Sequence, residues 1–218
     1  MSDVSRYLPL SQRRHGDESG VSNDWRTPFA TTLRSLADTL GSLPDAGWDA
    51  ATSRSGVSVR DLVAEAAAAL DTTARRRAVA RLTRRAIAPA AGTRDDLVAD
   101  LRSIAERDRK RSIAELSEAV VAAVDTARAL DAVGLPHRIV VDPLALGAVA
   151  LARSLNAPLP VRAVLGGITL VAADGDWRVG RGAVRSAAAS DIVLFLFGRS
   201  GVPGESPPGP AADYDGAE

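Results

Sequence analysis

No cysteine occurs among the 218 residues, which excludes disulfides, thiolate nucleophiles and cysteine-ligated metals. Histidine is almost as scarce. His15 and His137 stand alone, and a histidine with no second histidine or cysteine nearby is more often a surface or hydrogen-bonded residue than a ligand. Aromatic residues make up 4% of the chain, Lys110 is the only lysine, and the formal net charge is zero. Zero net charge removes the simplest electrostatic argument for a nucleic-acid or membrane partner. Long hydrophobic runs are missing too: the apolar stretches at 140–152 and 192–197 are too short or too interrupted to span a bilayer. The first residues, with Arg13, Arg14, Asp17 and Glu18, do not resemble a signal peptide. A soluble cytoplasmic protein is the expectation.

What the chain has in plenty is Ala, Val, Leu and Arg. Ala and Leu favour helix, and small side chains let helices approach closely. The length suits one domain, or one domain with a small annex. Residues 1–24 lack periodicity and read as a disordered tail that includes His15. Thr27-Pro28 suits an N-cap followed by a first-turn proline, and Phe29, Leu33, Leu36, Ala37 and Leu40 give one apolar stripe, ended by Gly41 and Pro44.

After Trp48, Ser58 and Asp61 resemble a capping box, and Leu62, Val63, Ala66, Ala69 and Leu70 form the next stripe, with continuation through Val79 and Leu82 open. Arg75, Arg76, Arg77, Arg81, Arg84 and Arg85 follow. They read as a solvated helix end, or alternatively as a phosphate-contacting face. Thr93 and Asp96 form a second capping box, and two apolar segments lead to Gly134, with the polar stretch 106–112 either exposed or a kink. Asp142-Pro143 opens a helix to about Leu155 that is almost wholly apolar and expected to be buried. From Val161 to Ala172 the pattern turns β-branched. Asp174-Gly175 marks a turn, Trp177-Arg178-Val179 a partner strand, Ala183-Val184-Arg185 a third, and 190–197 a short buried helix stopped by Gly198.

Trp48 with Gly56-Val57-Ser58-Val59-Arg60-Asp61-Leu62-Val63-Ala64, the segment Leu146–Ala152 with Asn156–Pro160, and the ending Ser190–Arg199 together resemble the mycothiol-dependent maleylpyruvate isomerase-like family. That family belongs to the DinB-like helical bundles and is characteristic of actinobacteria. The resemblance implies a mostly α fold: a DinB-like bundle of about four main helices over 25–158, a small α/β annex over 159–201, and a tail over 202–218. It also implies zinc and mycothiol, the metal being held by one histidine from the second helix and a Glu and a His from a later one.

In this chain those three positions fall on Glu65, Pro143 and Gly147. Proline and glycine have no coordinating side chain, and Asp142 is only a distant second donor, so no metal and no cofactor are expected. Glu65 is either a helix-edge carboxylate, solvated or paired with an arginine, or a buried one facing a remnant pocket. Arg199 matches the family's terminal arginine, which the resemblance implies binds an anionic substrate; alternatively it caps the last helix. These two residues are the candidates for any chemistry. The leading expectation is a binding or regulatory protein, with an unknown small molecule or protein as partner. The alternatives are an active mycothiol-dependent isomerase or thiol transferase with a displaced metal site, and a nucleic-acid-associated protein using the Arg75–Arg85 face.

Overall fold

The computed structural model describes residues 24–71 and 92–204. The N-terminal tail with His15, the Arg75–Arg85 face, the extension through Val79 and Leu82, and the tail beyond 204 lie outside the described residues. Within them the chain is mostly helical, with a small sheet near its C-terminal end. In chain order the elements are α1 (Arg26–Gly41), α2 (Asp45–Trp48), α3 (Val59–Asp71), α4 (Arg94–Glu106), α5 (Ile113–Ala132), α6 (Pro143–Leu155), α7 (Leu159–Leu165), β1 (Ile168–Ala172), β2 (Arg178–Gly180), β3 (Ala183–Ala187) and α8 (Ala189–Leu196).

Local chemistry explains most helix starts. Ser58 and Asp61 exchange the reciprocal bonds of a capping box at α3, and Thr93 with Asp96 does the same at α4. Asp142 caps α6 by accepting from Leu144 N–H, with Pro143 at the first helical position. The start of α1 differs from expectation. Thr27 is not the N-cap; the helix begins at Arg26, and no side chain of the capping residue, Trp25, bonds back to it. The Asp24 carboxylate accepts from Arg26 N–H at 3.1 Å, so a free first-turn donor is already satisfied without a threonine cap.

The stretch between α4 and α5 is a break between two helices, not a bend within one. Ser112 and Glu115 form a third capping box there, and Arg111 is fully buried. Its guanidinium lies 4.1 Å from the centre of the Phe29 ring and bonds the Ile104 carbonyl and Glu115. A buried cation survives only when paired and hydrogen-bonded. Glu115 supplies the pairing: burial pushes its pKa up, but the Ser112 N–H, Arg109 and the Ser112 hydroxyl outweigh that and hold it down at about 2.

Helix α5 is central, packing against α1, α3, α6 and α8. One continuous apolar core runs from Phe29, Leu33 and Leu36 through Leu101, Leu116 and Val120 to Leu170, Val179 and Phe195. The sheet has the order β2-β1-β3, with β2 antiparallel to β1 and β3 parallel to it. Gly182 makes that return possible. Its φ is +114°, and a Cβ there would fall 2.3 Å from the Gly167 carbonyl oxygen, a placement only glycine tolerates.

Two expectations about the C-terminal half need correction. Val161–Leu165 is helical, within α7, and only Ile168–Ala172 forms strand; Pro160 in the first turn starts a helix, and this outweighs the two valines. Helix α6 is not buried all round. Ala145, Leu146, Val149 and Ala150 face the core, while Leu144, Leu151 and Leu155 are 68%, 59% and 73% exposed. No single described helix is long and apolar enough to cross a membrane.

Candidate functional site

The site is built outward from Trp48. Its ring is buried, with the Arg60 and Arg94 guanidiniums 5.6 and 5.9 Å from its centre. Val59 N–H donates to Ala50 at 2.9 Å and Ala51 bridges to Ser58, closing the base of a loop ahead of α3. Inside the loop Thr52 N–H donates to Val57 and Val57 N–H to Arg54. Gly56 takes a φ of +74° at the turn, a conformation glycine adopts without penalty. The loop therefore presents Ser53 and Arg54 in fixed directions.

Ser53 points at Asp125. The Ser53 N–H donates to Asp125 Oδ1 at 3.0 Å and its hydroxyl to Oδ2 at 2.9 Å. Arg199 Nη1 completes the set at 2.8 Å from Oδ2. Asp125 is fully buried on α5, so all three donors offset the desolvation of one carboxylate. Arg199 reaches it because the chain turns sharply after α8, where Gly198 has a φ of +70°. The Arg199 side chain remains 18% exposed. Arg199 is therefore no simple helix cap: its side chain ties the C-terminal end of α8 to α5.

Arg54 grips Glu65 with two nitrogens, Nη1 on Oε2 and Nη2 on Oε1, the second at 3.3 Å. Both side chains are about two-fifths exposed. The carboxylate bonded to Arg54 raises that guanidinium's pKa, against a smaller opposing effect of burial.

A pocket of about 350 Å³ opens beside these pairs, lined by Arg54, Leu62, Glu65, Glu118, Ala122 and Arg199 among others. Glu65 and Arg199, the two candidates singled out in the sequence, thus share one pocket. Pro143 and Gly147 do not line it. Pro143 occupies the first turn of α6, and Gly147 sits under Trp177, where a Cβ would lie 2.9 Å from the indole Cδ1. Asp142 is committed to capping α6, and His137 Nε2 lies 3.1 Å from Asp131.

The residues at the expected ligand positions do not fit a zinc ion. One is a carboxylate already held by a guanidinium fork, and the other two have no donor atom in their side chains. Among the described residues no group of three His, Cys, Asp or Glu is disposed to hold a metal. The surroundings instead suit a small polar molecule: Arg54 and Arg199 offer donors, Glu65 and Glu118 acceptors, and Leu62 and Ala122 an apolar wall.

Sequence reasoning missed Ser53, Arg54, Glu118 and Asp125. For Asp125 a signal exists. It is a lone carboxylate directly after the apolar run Val120–Val124, the same kind of anomaly that draws attention to Glu65. Comparison of the chain with models of protein families, with curated proteins and with solved structures finds no match.

Proposed function

We propose that this chain is a binding or regulatory protein related to the maleylpyruvate isomerase-like group, working in the cytoplasm without a metal. Its ligand is a small polar molecule held in the Arg54–Glu65–Glu118–Arg199 pocket. The observation that carries this reading is the convergence of Glu65 and Arg199 on one pocket, each already paired with an opposite charge. The carboxylate at the position where the family places a histidine is spent on Arg54, so it serves recognition in place of coordination. The pairing also keeps the pocket's charges in place before a ligand arrives, which lowers the ordering cost of binding.

Two measurements test this. Elemental analysis of untagged protein is expected to find no stoichiometric zinc, and near-stoichiometric zinc that survives mild chelation overturns the metal-free reading. Thermal-shift screening with small carboxylates, amines and zwitterions is expected to give hits. A ligand at a hundredfold excess over its Kd stabilises the fold by about 2.7 kcal/mol. Hits that persist unchanged in both Glu118→Gln and Arg54→Ala place the site elsewhere.

A further inference from the structure

A second groove, sharing no lining residue with the Arg54–Arg199 pocket, lies between α1 and the connector that joins α5 to α6. Its volume is about 830 Å³, and Thr31, Arg34, Thr39, Ser42, His137 and Arg138 line it among others. Thr31, Arg34, Asp38 and Ser42 follow one another along α1 in steps of three, four and four, which places them on one face. The connector is fixed across that face. The Ser35 hydroxyl donates to the Arg138 carbonyl at 3.0 Å and accepts from Val140 N–H at 2.7 Å. Ile139 N–H donates to His137 Nδ1 at 3.4 Å. The backbone that carries Arg138 is therefore pinned on both sides of it.

The charges in this groove do not cancel. Asp38 is taken by Arg102 at 3.0 Å, and Asp131 by His137 at 3.1 Å. Arg34 and Arg138 are exposed, and neither forms an ion pair among the described residues. Two unmatched guanidiniums thus line a site that is otherwise rich in hydroxyls. One of those hydroxyls is itself unsatisfied: Thr39 is 6% exposed, and its Oγ1 is buried without a hydrogen-bond partner. A buried polar group in that state calls for a partner that the protein does not supply.

We infer that this groove binds a small phosphate monoester. Guanidinium groups meet phosphate oxygens with parallel, charge-assisted N–H bonds. A phosphate monoester carries about −1.5 to −2 charges at pH 7, which matches two free guanidiniums, whereas a carboxylate matches one. The Thr31 hydroxyl supplies a further donor at the groove wall. The volume lies in the range of small-molecule sites, about 300–1,000 Å³, and exceeds what a bare ion fills. Pro136 and Val140, the latter 61% exposed, give the organic half of the ligand an apolar surface.

The test uses the full chain at low ionic strength, where exposed charges are least screened. Phenyl phosphate and benzoate, which share a ring and differ in their charged group, are the probes in calorimetric titration. Phenyl phosphate is expected to bind and benzoate to bind more weakly. Arg34→Gln and Arg138→Gln break no ion pair, so both are expected to keep the wild-type melting temperature. Each is expected to weaken phenyl phosphate binding by about tenfold, while Arg54→Ala, in the other pocket, leaves it unchanged. Absence of phenyl phosphate binding overturns the proposal. So does binding that both glutamine variants leave intact, or benzoate binding as tight as that of phenyl phosphate. Loss of binding in Arg54→Ala overturns it by moving the anion to the other pocket. Co-sedimentation with vesicles containing phosphatidic acid, without binding of phenyl phosphate, overturns it in favour of a lipid headgroup at a membrane surface.

Discussion

Asp125 and Arg199 meet at 2.8 Å, 74 residues apart in the chain, and the carboxylate end of that pair is fully buried. The contact joins the central helix α5 to the end of α8. Because Ser53 donates to the same carboxylate, the loop ahead of α3 is held by it as well.

Removing Asp125 should therefore cost more than an ordinary surface ion pair. Asp125→Ala leaves a largely buried guanidinium and two Ser53 donors without their acceptor, and a loss of about 3–5 kcal/mol is expected. Asp125→Asn keeps an acceptor oxygen and should cost less. Urea denaturation of the two variants beside wild type checks both the size and the order.

The Arg54–Glu65 pair should behave in the opposite way. Both side chains are substantially exposed, so Glu65→Gln should change stability by less than about 1 kcal/mol. The same substitution loosens Arg54 and should weaken any ligand found for the pocket. Calorimetric titration alongside a melting curve separates the two effects.

Gly147 offers a test of the expected ligand geometry. A Cβ there falls 2.9 Å from Trp177, so Gly147→Ala is expected to destabilise by about 1–3 kcal/mol through overpacking, with a change in tryptophan fluorescence. Gly147→His is expected to be worse still and to gain no zinc affinity, read by metal titration.

Acid stability should report Glu115. Its folded pKa, about 2, lies below that of an unfolded glutamate, so its ionised form stabilises the fold fully above about pH 4.5. That stabilisation, on the order of 2–3 kcal/mol, is lost as pH falls from about 4.5 toward about 2. In Glu115→Gln the same window should be correspondingly flatter, and the variant should be less stable at neutral pH because Arg111 is left buried without its counter-charge. Chemical denaturation between pH 2 and 7 measures both.

Much of the fold was legible because its signals are local. Ser58 with Asp61, Thr93 with Asp96, and Asp142 with Pro143 each satisfy their own helix end, whatever surrounds them. The Ser112–Glu115 box obeys the same rule but was obscured by the charged run before it. There Arg111 looks like one more solvated arginine, and only the Phe29 ring and the Ile104 carbonyl, both brought from elsewhere in the fold, make it a core residue.

By itself the sequence determined the helical class, the absence of thiol chemistry, the starts of α3, α4 and α6 and the turn at Gly198, since each depends on residues within a few positions of one another. The pocket was decided only in three dimensions. Glu65 becomes half of an ion pair at the pocket wall because Arg54 folds back onto it, and Arg199 a strut because buried Asp125 attracts it. The apolar α6 shows leucine on its outer side because α5 and α8 cover one face of a helix that is apolar on both. Hydrophobicity measures the tendency to leave water, but which face does so depends on the neighbours that tertiary packing supplies.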